Sequence, residues 1–448
     1  MQIQNHGYLF SVENAVNNLF ALLFCLSVCS FSFAQGGAEH SLSEPLVGDN
    51  FQNFFPSGLV SSNINDLSSR GLTRGTVNAP LWSGPYWPVH QGILGARFGD
   101  RSFPQSRSFI DNFNSFQANP SDIYVQAGAL NKLSPSEKYD LLIGDSNWTL
   151  TRIMWQPGKS IYDRYKYVPT WTGLCHGWAA AVSMGIKEPQ HSVVVTDVTG
   201  KYKIEFYPDD IEALETYLWA QAILPTTVIG HRCEENPIVI DPYGRPMNEA
   251  CLDSNPMTWH IVITNKIGVL KNSFIMDSSP GSEVWNYPVS GYNYSYFNPR
   301  TLESSHSLQA SVEPIQNLTA DKFKSHRSQK TRYVVGIMMD VFHPALVRPQ
   351  VGPSNGRVTH AESFIYDLEL DENYNIVGGE WYKENVRPDF LWTFPLGMKP
   401  VVYEDSGLPD TWDNTSSLPD LFAAKAKLAS QRGSILSKIA NALLQQSL

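Results

Sequence analysis

The chain is poor in positive charge. It carries 33 Lys and Arg residues against 43 Asp and Glu residues, which gives a formal net charge of −10 at pH 7. No lysine or arginine occurs before Arg70, and no basic run follows it. Because binding to nucleic-acid phosphates needs clustered Lys and Arg side chains, the composition excludes nucleic acid as the main partner.

Long apolar runs are also lacking. The apolar stretch Leu19–Val28 has ten residues, which is too short to cross a bilayer. Small residues at positions 32 and 34 follow it, as in a signal-peptidase site, although the basic residues that usually precede such a stretch are missing. We expect residues 1–34 to be a cleaved signal peptide, with a lipid anchor at Cys29 as the weaker alternative. The mature chain is then secreted, periplasmic or at the cell surface, without stable membrane insertion.

Cysteine is scarce, with five residues in all, and two of them fall in the predicted signal peptide. In an oxidising compartment we expect a pair among the remaining three. Cys233 and Cys251 flank a loop-like segment rich in Pro, Asn and Glu, so we predict a disulfide between them, which stabilises the fold by roughly 3 kcal/mol. Cys175 is then left as a free thiol.

Cys175 lies in the stretch TWTGLCHGWAA, directly before a run of small residues that predicts a helix. The positive end of a helix dipole favours a thiolate there, and its own N–H can bind an oxyanion. A nucleophilic cysteine also needs an imidazole oriented by a third group. His176 is a poor partner because consecutive helical residues face different directions.

The imidazole is predicted to come from a strand. His260 opens the strand-like stretch HIVITN, and Asp277 closes the next one, SFIMD. Adjacent antiparallel strands would bring the two side chains together behind Cys175. The plainer alternatives are a small buried cysteine, a structural histidine and a turn aspartate.

The surrounding pattern predicts an α+β fold, in which a nucleophile helix packs on an antiparallel sheet. HSVVVTD and KYKIEFY read as two paired strands, and Ser134 or Ser136 with Glu137 forms a capping box for a short helix. Residues 35–80 read as a loosely ordered segment or propeptide, 81–403 as the catalytic domain, and 404–448 as a helical tail.

One segment carries a resemblance to a known family. Residues 283–292, EVWNYPVSGY, resemble the elicitor peptide of the oomycete cell-wall transglutaminases and their bacterial relatives. They depart from it at Tyr287, where the family has glutamine. Further motifs in the same order, from LWSGPYWPVHQG to IVGGEWYKENVRPDFLW, extend the resemblance from about Leu81 to Pro395. The positions that match within the elicitor-like segment are Val284, Trp285, Asn286, Pro288, Val289, Gly291 and Tyr292.

The resemblance implies a papain-like core and protein-glutamine γ-glutamyltransferase activity. Cys175 would form a thioester with a protein glutamine and pass the acyl group to a lysine or polyamine amine. His260 would be the base and Asp277 would orient it. Trp171 and Trp178 are candidates for steadying the oxyanion or lining an amine tunnel, although core packing explains either. We interpret the elicitor-like segment as a structural turn that buries Trp285 beside the triad.

The sequence itself requires no cofactor. The resemblance implies calcium dependence, but Asp371-x-Asn373-x-Asn375 lacks the glycine and the distal glutamate of an EF-hand. An exported cysteine peptidase or protein-glutamine amidase could use the same three residues, since only the acyl acceptor differs. A secreted virulence or adhesion factor with an inert core is the non-enzymatic alternative.

Overall fold

The computed structural model describes residues 49–55, 60–252, 254–353, 357–383, 385–409, 412 and 416–448. The predicted signal peptide lies outside the described residues. The α-helices in chain order are α1 Ile64–Ser69, α2 Phe109–Ala118, α3 Ser121–Gln126, α4 Pro135–Leu142, α5 Thr149–Tyr165, α6 Cys175–Ser183, α7 Pro208–Gln221, α8 Pro256–Ile263, α9 Leu308–Ser311, α10 Asp420–Gln431 and α11 Ser437–Ser447.

The strands form three sheets among the described residues. The largest has the order β1-β7-β10-β11-β12 with β8 and β9 at its margins, a second has the order β4-β13-β5-β6, and β2 pairs with β3. The strand bounds are β1 Arg74–Thr76, β2 Val193–Thr196, β3 Lys203–Phe206, β4 Thr227–Ile229, β5 Ile275–Asp277, β6 Asn286–Pro288, β7 Gly291–Phe297, β8 Ser304–Ser305, β9 Glu313–Pro314, β10 Tyr333–Pro344, β11 Thr359–Leu370, β12 Ile376–Trp381 and β13 Leu391–Thr393.

The molecule combines a helical half and a sheet half, which confirms the predicted α+β class. One buried cluster joins side chains of α4, α5, α7, α10 and α11, and another joins α8 to the inner face of the large sheet. A smaller third cluster lies between them and contains Trp178 of α6 and Trp392 of β13. The third cluster therefore fixes the N-terminus of α6 relative to the second sheet.

Local signals in the sequence account for several elements. Ser134 accepts the N–H of Glu137, and the Glu137 side chain accepts the N–H of Ser134, so the predicted capping box begins α4. The predicted strand pair is present as β2 and β3, in antiparallel register.

The predicted strand at HIVITN is wrong. His260 lies in α8, which begins after Asn255, whose side chain accepts the N–H of Met257, with Pro256 in the first helical turn. All residues of this helix except Met257 are buried, so its apolar run is continuous and matches a buried strand equally well. A π-helical turn, Thr264–Val269, continues it.

The described parts of both terminal segments belong to the packed structure. Within the segment expected to be loosely ordered, Ile64 and Leu67 of α1 are fully buried, and β1 pairs with β7. The expected helical tail consists of α10 and α11, whose buried faces join the helical core. Among the described residues, none of the helices combines the length and apolar character that crossing a bilayer demands.

Candidate active site

Cys175 is the first residue of α6 and is 4% exposed. The preceding residue, Leu174, donates its N–H to the Tyr86 carbonyl at 2.6 Å, which anchors the turn before the helix. Cys233 and Cys251 form the predicted disulfide, and Cys175 is the free cysteine of the described residues. The predicted pairing and the leftover thiol are thereby confirmed in the structure.

Two groups of the elicitor-like segment contact the sulfur. The Cys175 thiol lies 3.8 Å from the Val284 carbonyl oxygen, to which it donates, and the Asn286 amide donates to Sγ at 3.6 Å. Trp392 Nε1 in turn donates to Asn286 Oδ1 at 2.7 Å. Since the Trp392 indole can only donate, it fixes Oδ1 on its own side and turns the amide nitrogen toward the sulfur.

The surroundings of the Cys175 thiol oppose its ionisation. Burial raises the pKa of Cys175, and the negative charge of Asp277 acts in the same direction. Hydrogen bonds from Asn286 and from the His176 backbone lower the pKa but do not outweigh burial. The expectation that the helix N-terminus favours a thiolate therefore omitted the larger effect, which is desolvation.

Asp277 belongs to the same neighbourhood as Cys175. It pairs with Asn286 across the β5–β6 register, and its Oδ1 accepts the backbone N–H of Trp285 at 2.8 Å and that of Ser279 at 3.1 Å. Its Oδ2 is buried without a hydrogen-bond partner, and burial raises the pKa of Asp277 to about 7. Asp277 therefore holds the turn that carries the Val284 carbonyl and the Asn286 amide, the two groups that contact Sγ.

His260 makes its contacts elsewhere. Its Nδ1 lies 2.8 Å from the Tyr366 hydroxyl, its ring meets Tyr294 edge-on, and burial lowers its pKa to about 3. Tyr366 faces Ile337 across the β10–β11 pair. None of the described contacts joins His260 to Cys175 or Asp277, so its role as the base stays a prediction.

A second histidine lies near the site. His343, near the end of β10, stacks on Tyr287 with a ring-centroid distance of 4.1 Å. It is six residues beyond Ile337 on β10, the residue that faces Tyr366, which is the partner of His260. Sequence reasoning missed His343. The one signal that could have indicated it is its position at the end of the strand-like run YVVGIMMDVFHP.

His343 lies beside a carboxylate and bonds a backbone carbonyl. Its Nδ1 lies 3.0 Å from the Pro344 carbonyl, so Nδ1 carries the proton and Nε2 keeps a free lone pair. Nε2 is 3.4 Å from Glu362 Oε1, close enough for an ion pair but not aligned as a hydrogen bond. Glu362 lies on the adjacent antiparallel strand, opposite Val341. This strand–strand arrangement is the one predicted for His260 and Asp277.

Tyr287 connects the two halves of the site. Its ring meets Trp178 of α6 edge-on, with centroids 6.3 Å apart, and also lies tilted by 40° against the His343 ring, with centroids 4.1 Å apart. Burial raises the pKa of Tyr287, and the nearby carboxylates of Glu362 and Asp277 raise it further. These interactions define one contiguous group, which we call the Cys175 site: Cys175, Asp277, Asn286, Tyr287, His343 and Glu362.

The two predicted tryptophans do not contact the sulfur. Trp178 is fully buried in the third cluster, and its indole nitrogen has no hydrogen-bond partner. Trp171 is half-buried, with the Arg232 guanidinium 5.8 Å from its ring centroid. The His176 side chain makes a hydrogen bond with the Ala220 backbone on α7. Burial lowers the pKa of His176 to about 4. Asn286, not a tryptophan, is the side-chain donor at Sγ.

Comparison with known proteins identifies the family. The sequence model named Transglutaminase elicitor matches residues 49–403. The chain belongs to the transglutaminase elicitor family. Its fold is similar to the crystal structure of the GP42 transglutaminase from Phytophthora sojae, with a TM-score of 0.56 and 18% identity over 92% of this chain and 99% of that chain. No curated protein sequence matches the chain.

The elicitor-like segment of this transglutaminase elicitor protein forms a wall of the Cys175 site. It runs from the turn over the sulfur through β6 into β7. Trp285 is half-buried against Tyr86, with ring centroids 5.5 Å apart, whereas Val289 and Tyr292 are buried in the sheet core. The Tyr292 hydroxyl donates to the Leu72 carbonyl at 2.8 Å. The segment thus contributes to both the site and the core.

The calcium dependence that the sequence resemblance implies stays a prediction. Within the described ranges, no three His, Cys, Asp or Glu side chains are grouped so that they could hold a metal ion. Asp371 Oδ1 accepts the N–H groups of Asn373 and Asn375 at 2.8 Å each, and Oδ2 accepts from the Asn375 amide. Asp371 therefore serves the β11–β12 turn, and we assign no step to a metal.

Proposed function

We propose that this chain is a protein-glutamine γ-glutamyltransferase with Cys175 as its nucleophile. Membership of a transglutaminase family supports acyl transfer in general. The observation that carries the specific proposal is the free thiol at the N-terminus of α6 with an oriented amide donor, Asn286, on its sulfur. The Cys233–Cys251 bridge supports an oxidising compartment and hence export.

The first chemical step is acylation. Nε2 of His343 takes the thiol proton, and Sγ attacks the side-chain amide carbon of a protein glutamine. The tetrahedral oxyanion accepts hydrogen bonds from the Cys175 N–H and the Asn286 amide, which is the largest electrostatic contribution in such reactions. The imidazolium then returns its proton to the leaving nitrogen, ammonia departs and a thioester remains.

The second step regenerates the enzyme. His343 takes a proton from the incoming amine, whose nitrogen attacks the thioester carbon, and Sγ leaves and is reprotonated. Glu362 is a positioning residue for His343, because its Oε1 lies 3.4 Å from Nε2. Asp277 is a positioning residue, because its Oδ1 holds the turn before Asn286. We propose a structural role for His260, whose ring nitrogen bonds Tyr366.

Substrate access requires movement of the covering turn. Cys175 is buried, and the Val284 carbonyl oxygen lies on its sulfur. Because the carbonyl accepts the thiol proton, the state described by the structure is a resting state. A glutamine side chain reaches Sγ when the turn of residues 282–285 shifts and releases that proton to His343.

The test measures amine incorporation and ammonia release together. The purified protein is incubated with a glutamine-containing protein and a labelled primary amine. Wild type is expected to do both, and Cys175→Ala neither. His343→Gln is expected to lose about 100-fold or more, since general-base removal costs 10²–10⁴.

His260→Gln is the matched control, because it makes the same substitution at a buried histidine outside the Cys175 site. It is expected to retain activity within a few fold, provided that circular dichroism shows a native fold. Incorporation that persists in Cys175→Ala contradicts the proposal. If a folded His260→Gln loses activity while His343→Gln keeps it, the base is His260. Ammonia or peptide release without incorporation shows the amidase or peptidase alternative, and absence of turnover shows an inert core.

A further inference from the structure

The first half of β11 has an open edge. β10 pairs with the whole strand from Thr359 onward, whereas β12 pairs only with residues 366–370. Tyr382 adds one more hydrogen bond, from its N–H to the Ile365 carbonyl, and the pairing then stops. Within the described residues, no strand pairs with the other side of residues 359–364, which we call the β11 edge.

The hydrogen bonds of the ladder show which backbone groups face this edge. Alternate residues of an antiparallel strand bond to opposite neighbours. The Ala345 N–H donates to the Val358 carbonyl at 2.8 Å, in the β10–β11 register, so the even-numbered residues of β11 bond to β10. The Ile365 carbonyl accepts from the opposite side at 2.9 Å. The residues whose N–H and C=O groups face the open edge are therefore Thr359, Ala361 and Ser363.

These backbone groups are accessible. All three residues are exposed, and in the part of the chain that the structure describes their N–H and C=O groups have no hydrogen-bond partner. Proteins usually blunt an unpaired edge with a proline, a lysine or a β-bulge. The β11 edge has none of these, since the register shift of the strand lies at Glu369 and Leu370, in its paired half. The edge is thus available for pairing with another chain.

The β11 edge adjoins the Cys175 site. Glu362 lies within it, and the Glu362 side chain is on the same face of the sheet as Phe364, which is buried in the core. His343 is on that face too, with its Nε2 3.4 Å from Glu362 Oε1. In an added strand, the residue opposite Glu362 would direct its side chain to this face, with Cβ atoms about 4.5–5.5 Å apart. Every second side chain would then face the Cys175 site.

The spacing of the open groups suits an extended polypeptide. Their donors and acceptors alternate along the edge as they do in any antiparallel ladder, and residues 359–363 span about 16 Å. In strand addition, main-chain hydrogen bonds provide affinity and the alternate side chains provide selectivity. A glutamine in a protein brings such a main chain with it, whereas a free amine does not.

We propose that the β11 edge binds the polypeptide that carries the substrate glutamine, by adding it to the large sheet as a further strand. The proposal rests on the proposed function, because it concerns the substrate of that reaction. Recognition through the main chain accepts many sequences, and the inward-facing side chains lie on the side of Glu362 and His343. The competing occupant is the β11 edge of a second copy of this chain.

The test compares a short and a long substrate in the full-length chain, with ammonia release as the readout. A blocked glutaminyl-glycine dipeptide is too short to pair with the edge, whereas a ten-residue peptide with a central glutamine can pair. Ala361→Pro removes one N–H from the edge, a position that tolerates proline. It is expected to raise KM for the long peptide about 5-fold, as for loss of one backbone hydrogen bond. The kcat for the long peptide, and both constants for the dipeptide, are expected to stay within twofold.

Ala361→Val is the matched control, because it changes the same side chain but keeps the N–H. It is expected to leave KM for both peptides unchanged. Circular dichroism and Tm verify that both variants are folded.

A second measurement leaves the β11 edge intact. Single N-methyl groups placed along the long peptide remove one backbone donor at a time, and binding to Cys175→Ala is followed by fluorescence anisotropy. Binding is expected to weaken about 5-fold at every second position over about five residues, because alternate N–H groups face the edge.

The outcomes separate the two proposals. Wild type that releases no ammonia from either peptide contradicts the proposed function. Ammonia release with an unchanged KM in a folded Ala361→Pro, or an N-methyl scan without alternation, overturns strand addition alone. Wild type that is dimeric by light scattering and becomes monomeric in Ala361→Pro also overturns it, because a second copy then occupies the edge.

Discussion

Replacing Asn286 by alanine tests the electrostatic design of the site. Its amide donates to Sγ at 3.6 Å and is held by Trp392, so the variant removes the side-chain donor for the thiolate and for the oxyanion. Loss of one oxyanion donor costs about 2.7–4 kcal/mol of transition-state stabilisation, which lowers kcat about 10²–10³-fold. Since Asn286 also lowers the pKa of Cys175, thiol alkylation at pH 7 becomes slower.

The same variant has a separate cost in stability. It leaves the buried Trp392 indole N–H without its acceptor, which costs about 1–3 kcal/mol. Trp392→Phe is the matched control, because it removes the orienting donor but keeps the Asn286 amide and an aromatic ring. We expect its acylation rate to fall only about 10-fold, as for loss of a single ordinary hydrogen bond.

The assay has two readouts for each variant. Single-turnover ammonia release gives the acylation rate, and iodoacetamide alkylation against pH gives the thiol pKa. A folded Asn286→Ala that keeps its acylation rate within threefold and its alkylation profile unchanged refutes the oxyanion assignment. An equal loss in Trp392→Phe and Asn286→Ala shows that the effect comes from packing.

Three further predictions concern the scaffold. An alanine at Gly177 would place its Cβ against the Thr216 carbonyl and 2.7 Å from Ala220 Cβ. Gly177→Ala should therefore overpack α6 against α7, lower the free energy of unfolding by about 1–3 kcal/mol and slow acylation. An unchanged Tm and acylation rate would contradict this. Burial raises the pKa of Glu215 from 4.5 to about 8, so the folded state holds its proton longer than the unfolded state and folding stability falls as pH rises through that window. The Tm advantage of Glu215→Gln over wild type should therefore grow between pH 5 and pH 8.5, and a flat difference would refute the burial argument. Replacing Cys233 and Cys251 by alanine should cost roughly 3 kcal/mol in urea unfolding, and non-reduced peptide mapping that finds either one bridged to Cys175 would contradict the pairing.

Features set by local sequence were predictable. The capping box at Ser134 and the pair β2–β3 depend on residues a few positions apart. The disulfide followed from counting cysteines in a chain that is expected to be exported. The position of Cys175 at a helix start followed from the Gly-Leu turn before a run of small residues.

The partners of Cys175 could not be read in the same way, because they are distant in sequence. Asn286 reaches Sγ from 111 residues away through the β5–β6 register. His343 and Glu362 meet because β10 and β11 pair in one particular register. The apolar run around His260 suits a buried helix and a buried strand equally well, so the prediction of a strand there was wrong. Burial outweighs the helix N-terminus at the thiol, and only the packed structure reveals this.

The most direct test of the central claim identifies the residue that carries the acyl group. The protein is mixed with a glutamine peptide without amine, quenched in acid and measured by intact-mass and peptide-mapping mass spectrometry. We predict an adduct equal to the peptide minus ammonia, located at Cys175, released by hydroxylamine and absent from Cys175→Ala. An adduct at any other residue, or turnover without a hydroxylamine-sensitive adduct in a competent assay, would contradict the account.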